Sequence, residues 1–315
     1  MEPSQPKTSF ALTIKDQFSS FLFVVPALAI FSLFYIIPFV QTFMLSLHDW
    51  NGITADQRFV GLENFRNLYG DKVWWSAIGH AGFITFIALT FQNALAFALA
   101  LACDQEIKMG RLYRVIFFLP PVLSEVVVGL IWQWILSSGT QGGQQIGLLN
   151  YFLDKIGLHQ LIHSWLSDPK TALTCIAVVH CWKGFGWGFI ILLAGLQTIE
   201  RQYYEAAQVD GADSWNSFLH VTIPLMIPVI LFVVILTILG SMQVFVLVLS
   251  MVGQGLVYYT EVPVTRILAS MTGTNQFGYA CAQAIVFGIV LVSVSMPLNI
   301  LSDRINPNKP RPRKL

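Results

Sequence analysis

Forty consecutive residues, Val221 to Thr260, carry no Asp, Glu, Lys or Arg, and five other stretches of the chain approach the same condition. Gln17 to Leu47 and Ile267 to Ser302 are charge-free. Val73 to Cys103 holds only the titratable His80, Val115 to Leu136 only Glu125, and Thr171 to Ile199 only Lys183 and His180. A bilayer core is crossed by about 20 apolar helical residues, and each run is long enough. The composition agrees. The 315 residues are 55% hydrophobic and 11% charged, where a soluble domain carries about 25% charged residues. At a mean hydropathy of +0.64 a chain this long could not cover its surface with polar groups. A secreted globular enzyme, a disordered regulator and a nucleic-acid binder are therefore excluded. A net charge of +1 provides no field for phosphate or other anionic partners.

Gly253-Gln254-Gly255 and Gly273-Thr274-Asn275 interrupt the last two runs as loops. Six spans result, at about 18–47, 73–103, 112–137, 171–199, 222–251 and 278–302. The expected architecture is all-α, one polytopic membrane domain over 18–303, preceded by a short segment 1–17 and followed by a basic tail 304–315. The apolar run of the first span is about twice a signal-peptide core, so it reads as a retained span. Pro26 and Pro38 are expected to kink it. The four cysteines, Cys103, Cys175, Cys181 and Cys281, lie in or beside apolar runs without a Cys-x-x-Cys pair, and read as small buried side chains. Neither a disulfide nor a metal site is expected.

Lys and Arg set the orientation. With both termini inside, eleven of the 18 basic residues fall on cytoplasmic segments and six on outer loops, with Lys183 inside a span. The Pro-rich basic tail is then positioned to touch anionic headgroups. The longest inner loop, 200–221, runs Glu200-Arg201-Gln202-Tyr203-Tyr204-Glu205-Ala206-Ala207-Gln208-Val209-Asp210-Gly211 and continues through Asp213, Ser214, Trp215, Phe218 and Leu219 to Pro224. Glu205, Ala206 and Ala207 favour a helix. Gly211 suits its end, Asp213 or Ser214 a second start, and Pro224 the opening of the next span. Two short helices cannot bury their apolar faces alone, so Trp215, Phe218 and Leu219 need the membrane domain or a partner.

This loop resembles the EAA loop of bacterial ABC importer permeases: Glu-Ala-Ala, three residues, Gly, nine residues, then aliphatic, any, aliphatic-Pro, filled here by Glu205, Ala206, Ala207, Gly211, Val221, Ile223 and Pro224. The resemblance extends along the chain. Phe59-Val60-Gly61-Leu62-Glu63-Asn64-Phe65 is similar to the first outer loop of the carbohydrate-uptake branch. Arg114 to Pro120 with Val127 to Trp132 is similar to its third span. Trp182 to Gly186 and Leu193 to Gln197 are similar to its fourth, and Thr260 to Pro263 with Gly278 to Ala280 to its last outer loop and sixth span. The subunit resembled is MalF-like or UgpA-like, of MetI-like fold. Val252-Gly253-Gln254-Gly255 lacks the proline of the family's usual Gly-Gly-Pro turn, and the large outer insertion of the enteric maltose permease is missing.

The chain has no Gly-rich phosphate loop followed by Lys and Ser/Thr, so the resemblance implies no cofactor on this chain, ATP and Mg being bound by partner subunits. It implies a second, MalG-like permease subunit, two ATP-binding subunits, an extracytoplasmic solute-binding protein, a saccharide cargo, no nucleic acid, and the bacterial inner membrane. Glu205 would contact a basic residue of the ATPase, in a coupling segment of Glu205, Ala206, Ala207, Asp210, Gly211 and Pro224. The substrate path would be lined by spans four and five: Gly184, Gly186 and Trp187, with Thr237, Ser241 and Gln243. Gln92 and Asn93 are weaker candidates.

From the residues alone, Glu125 and Lys183 are formal charges well inside spans at similar depth, which permits an ion pair or separate roles. Trp187 could stack on a sugar ring or simply pack, the glycines could be close helix contacts, and Thr237 and Ser241 could bond back to their own helix. Trp50, Phe59 to Phe65 and Thr260-Glu261 are candidates to meet a delivery protein, or in the case of the aromatics to form an interfacial belt. Two other readings stand beside the sugar importer. One is an ABC importer of glycerol phosphate or a small osmolyte, favoured by surplus cationic groups in the cavity. The other is an ion-coupled secondary transporter, favoured by paired membrane acids and inverted repeats.

Overall fold

The computed structural model describes residues 21, 24–105, 108–141, 144–253 and 258–305. The segment 1–17, most of the basic tail and the centre of the Gly253–Gly255 turn lie outside the described residues. The described chain contains five helices long and apolar enough to cross a bilayer: α1 (Val24–Ser46), α3 (Lys72–Asp104), α7 (Ala172–Leu196), α9 (Ser214–Met242) and α12 (Phe277–Ile305). A sixth span is made of two helices, α4 (Gly110–Val122) and α5 (Glu125–Ile135), bent by 92° at their junction. The shorter helices are α2 (Glu63–Gly70), α6 (Leu148–Lys155), α8 (Arg201–Val209), α10 (Val246–Val252) and α11 (Pro263–Thr272). Two two-residue antiparallel ribbons, His48–Asp49 with Arg58–Phe59 and Thr140–Gln141 with Gln144–Gln145, pin loops.

Proline chemistry shapes three of these spans. Pro120 and Pro121 end α4; their missing N–H groups leave the carbonyls of Ile116 and Phe117 without helical donors. Leu123 and Ser124 then turn extended, and α5 leaves in a new direction. Its halves have different neighbours: α4 packs on α7, and α5 on α10. Gly129 permits that second contact, since a Cβ there would collide with the Ser250 hydroxyl. The third span expected as one helix over 112–137 is therefore broken. In α1 and α9 the response to proline is gentler. Each has one widened turn just before one of its two prolines, Ser32–Ile36 before Pro38 and Phe218–Thr222 before Pro224, where Ile37 N–H donates to Ser32 O and Ile223 N–H to Phe218 O. The i→i−5 bonds take up the register that proline disturbs.

Two boundaries differ from expectation. The widened turn at Phe218–Thr222 makes the second helix of the inner loop continuous with the fifth span. At its C-terminal end that span stops at Met242, and Val246–Val252 is a separate helix.

The core is divided among several clusters. Ile84, Val128, Ile176, Val179, Leu247 and Met251 join α3, α5, α7 and α10. Ala96, Ala100, Phe185, Phe189, Leu192 and Met226 join α3, α7 and α9 nearer the 200–221 loop. Beside α1, α3 and α12, an outer polar brace fixes the entry of α3. Asp71 Oδ1 accepts from the Val73 and Trp74 N–H groups, and its Oδ2 accepts from the Tyr279 hydroxyl at 2.8 Å. Asn64, nearly buried, donates to the carbonyls of Ser46 and His48 at 2.9 and 3.0 Å, closing the end of α1.

Candidate functional site

The cavity of greatest interest lies where α3, α5, α7 and α9 meet. It has a volume of about 290 Å³. From α7 it takes His180, Lys183, Gly184, Trp187, Gly188 and Ile191; from α9 it takes Val233, Leu236, Thr237, Gly240 and Ser241. Both sets follow i, i+3, i+4, i+7, the stripe of one helix face. Gln92 enters from α3 and Glu125 from the first turn of α5.

The break in span three is what places Glu125 here. After the 92° turn α5 opens with Glu125 in its first turn, against the cavity. Its carboxylate lies 3.8 Å from the Lys183 ammonium, with side-chain exposures of 43% and 14%. The two intramembrane charges left open in the sequence are therefore a pair.

A widened turn in α3, Ala88–Gln92, has no proline to cause it. Its effect is to aim neighbouring residues inward. Gln92 lines the cavity, and Asn93 Oδ1 accepts from the Thr237 hydroxyl at 2.9 Å. Ser241 Oγ lies 3.0 Å from His180 Nε2. Thr237 and Ser241 thus bond to neighbouring helices rather than back to their own, which fixes α9 against α3 and α7. Trp187 is 57% exposed and its ring meets Phe118 edge-on at 5.3 Å.

Of the residues expected along the path, Glu125, Lys183, Gly184, Trp187, Thr237 and Ser241 line this cavity. Gly186 and Gln243 do not. Gly186 is on the α4 side of α7, where a Cβ would be 2.5 Å from the Phe117 carbonyl oxygen and 2.7 Å from Pro121 Cγ. It is a close-approach residue where proline has freed a backbone acceptor. Gln243 follows the end of α9 and is exposed. His180 is a lining residue that sequence reasoning misses, although its i−3 spacing from Lys183 carries the signal.

In the 200–221 loop, α8 ends in a doubly bonded turn. Ala212 N–H donates to Ala207 O at 2.9 Å and Gly211 N–H to Gln208 O at 3.0 Å, with Gly211 at φ +83. Only glycine takes that conformation at little cost. Asp213 caps the next helix by accepting from Asn216 N–H at 2.7 Å. The Tyr204 hydroxyl lies 3.0 Å from Thr222 Oγ1 and ties the two helices together. Ala206, Ala207, Asp210 and Gly211 line a shallow groove beside Asn216 and His220. Glu205 is largely exposed, 3.9 Å from Arg201 on the same helix, and Trp215 and Val209 stand out into the surroundings.

Among the outer-loop candidates, Phe59 and Leu62 are exposed, but Thr260 and Glu261 are buried. Glu261 faces Arg266 at 3.8 Å, and its carbonyl pairs with His80 Nδ1 at 2.8 Å. Glu261 thus braces the loop, and neither Thr260 nor Glu261 offers a surface to an incoming protein.

With this architecture in view, the comparisons with known proteins agree on one class. The family described as Binding-protein-dependent transport system inner membrane component matches residues 94–309. The chain is 32% identical over 278 residues to the probable ABC transporter permease protein YurN of Bacillus subtilis, covering 88% of this chain and 93% of that one. It is 33% identical over 230 residues to the lactose transport system permease protein LacF of Rhizobium radiobacter, covering 72% and 74%. A chain in the crystal structure of a bacterial ABC transporter involved in the import of alginate superposes with a TM-score of 0.77 at 24% identity, over 93% of this chain and 98% of that one; at that identity the likeness is one of fold. The chain belongs to the family of binding-protein-dependent transport system inner membrane components. It is a multi-pass membrane protein, and a permease subunit of this kind carries no catalytic site.

Proposed function

We infer that this chain forms half of the translocation path of an ATP-driven importer whose cargo is a sugar, oligosaccharide or glycoside. The observation that carries the reading is the cavity on α7 and α9: a small chamber with a half-exposed indole and several hydrogen-bonding side chains, at the depth where the span three break opens. Carbohydrate sites combine an aromatic face with hydroxyl and amide partners in this way. The lactose-system relative supports the same cargo class. A phosphate-bearing cargo would call for uncompensated positive charge, and Lys183 stands against Glu125.

Coupling runs through the inner loop. The exposed α8, its terminal Gly211 and the capped start of α9 present a rigid helix–turn–helix that ends directly in a cavity-lining span. A partner ATPase that grips α8 would move α9 with it, because no flexible linker intervenes. In this reading Glu205 pairs with a basic residue of the ATPase, while Ala206, Ala207 and Asp210 form the groove wall and Pro224 keeps the widened turn. ATP and Mg belong to two separate ATPase subunits. A MalG-like permease supplies the other half of the path, and an external binding protein delivers the cargo. The loop and both termini face the cytoplasm of a bacterial inner membrane.

Co-purification from native membranes, with bound proteins and small molecules identified by mass spectrometry, tests the assembly. Recovery of an ATPase and a second permease supports it. A chain that emerges alone or as a homo-oligomer in every detergent contradicts it.

A further inference from the structure

Lys183 and Glu125 raise a question that the general transport reading leaves open: why a permease keeps two formal charges inside its cavity. Lys183 is largely buried, with Glu125 at 3.8 Å as its one polar partner among the described residues. Glu125 is half exposed and opens into the chamber. Among the described residues no other Asp, Glu, Lys or Arg lines the cavity, so its formal charges sum to zero and neither lacks a counter-charge. Gln92, which is 7% exposed, also lines it, and its Oε1 has no hydrogen-bond partner. That oxygen is turned toward Gly184, where a Cβ would come within 2.5 Å of it. The glycine is what leaves room for the amide.

We propose that the Glu125–Lys183 pair, with Gln92, is the specificity element of this permease and restricts its cargo to saccharides without a formal negative charge. The inference rests on the carbohydrate reading given above. A neutral sugar satisfies each wall group: a hydroxyl oxygen accepts from the ammonium, a neighbouring hydroxyl donates to the carboxylate, and another hydroxyl donates to Gln92 Oε1. A sugar carboxylate has no hydrogen to give to Gln92 or Glu125. It meets Glu125 as a like charge, while Lys183 is already neutralised. Glu125 occupies in advance the place an anionic cargo would need.

The test uses the assembled transporter (this chain with its partner permease and ATPase subunits) in detergent, without the binding protein, which would impose its own selectivity. Saturation-transfer NMR reads weak binding of probe saccharides directly. The probes are neutral disaccharides and the matching aldobiouronic acids, which differ by CH₂OH against carboxylate at C6. The wild type is expected to bind at least one neutral member, and to bind its uronate more weakly by about tenfold or more, since juxtaposed like charges are unfavourable. Glu125→Gln frees Lys183 and should bring the uronate to parity or better. Lys183→Met should gain no uronate binding, and the exchange Glu125→Lys with Lys183→Glu should restore the wild-type preference. Equal binding of neutral and uronate probes by the wild type overturns the proposal without needing any variant. So does Glu125→Gln that still binds the neutral sugar yet gains nothing for the uronate. Failure of the wild type to bind any saccharide of either charge overturns the carbohydrate reading itself, and this inference with it.

Discussion

Replacement of Gly186 by Ala isolates one physical consequence of the broken third span. Pro121 cannot donate to Phe117 O, and α7 approaches that carbonyl where Gly186 leaves a gap. An alanine Cβ would lie 2.5 Å from the oxygen and 2.7 Å from Pro121 Cγ, whereas ordinary contacts begin near 3.4 Å, so α4 must retreat by about 0.9 Å. Backbone cannot swing aside as a side-chain tip can, and overpacking of this kind costs about 1–3 kcal/mol. The alanine returns up to about 1 kcal/mol through better helix propensity. Set against each other, the two leave a net loss of about 0–3 kcal/mol, with about 1.5 at the centre of both ranges. At Gly79, in α3, the position a Cβ would take has nothing within 4 Å, so Gly79→Ala keeps the propensity gain without the clash. Unfolding of each purified variant by SDS titration from mixed micelles measures the difference. The midpoint should fall for Gly186→Ala and hold or rise for Gly79→Ala. Equal midpoints for the two variants would refute the close-approach argument.

The outer brace gives a second prediction. Asp71→Ala removes a helix cap worth about 1 kcal/mol and strands the Tyr279 hydroxyl at a further cost of about 1–3 kcal/mol. Tyr279→Phe removes only the second part, so a double-mutant cycle on unfolding should show coupling of about 1–2 kcal/mol, and additivity would contradict the bond. Glu205→Ala should leave the unfolding midpoint within about 0.5 kcal/mol, because its one ion pair among the described residues is an exposed i, i+4 contact. The same variant should weaken ATPase retention on pull-down by about tenfold or more, as loss of a charge-assisted contact does; unaltered retention would remove Glu205 from the coupling surface. In the outer loop, the Lys170 backbone N–H donates to Asp168 at 2.8 Å and holds its carboxyl below the ordinary carboxylate range, with His163 Nε2 adding to the effect at 2.7 Å. A depressed carboxyl stabilises the loop at pH values above the unfolded-chain pKa of about 3.9 and loses that contribution as the pH falls through the folded value. Loop proteolysis should therefore stay slow through mild acid and accelerate only below that point. Acceleration already near pH 5 would contradict the assignment.

Much of this architecture was legible in the sequence because hydrocarbon imposes simple rules. Charge-free runs marked the spans, and Gly211, Asp213 and Pro224 carried the turn and caps of the inner loop through local backbone chemistry. The α7 and α9 faces of the cavity were implied by the resemblance to the permease family, and the i, i+4 spacing of Thr237 and Ser241 put those two on one face. Other features depended on tertiary contacts that no local pattern encodes. Pro120-Pro121 reads equally as a tolerated kink or a full break, and the packing of α5 on α10 decides between them. Gly186 and Gly184 are alike in sequence, yet one faces a backbone carbonyl of α4 and the other a buried amide of α3. Gln92 reaches the cavity through a widened turn that lacks the proline of its two counterparts. Glu261 looks like a surface charge until Arg266 and the His80 contact draw it inward.

The central claim is that ATP hydrolysis elsewhere moves cargo through this cavity by way of the inner loop. The direct measurement is uptake of a radiolabelled saccharide into proteoliposomes that hold the assembled transporter, with binding protein outside and ATP enclosed. Accumulation is predicted only with enclosed ATP, to be insensitive to proton and sodium ionophores, and to be lost with Glu205→Ala. Accumulation driven by an ion gradient with no ATP present would contradict the account.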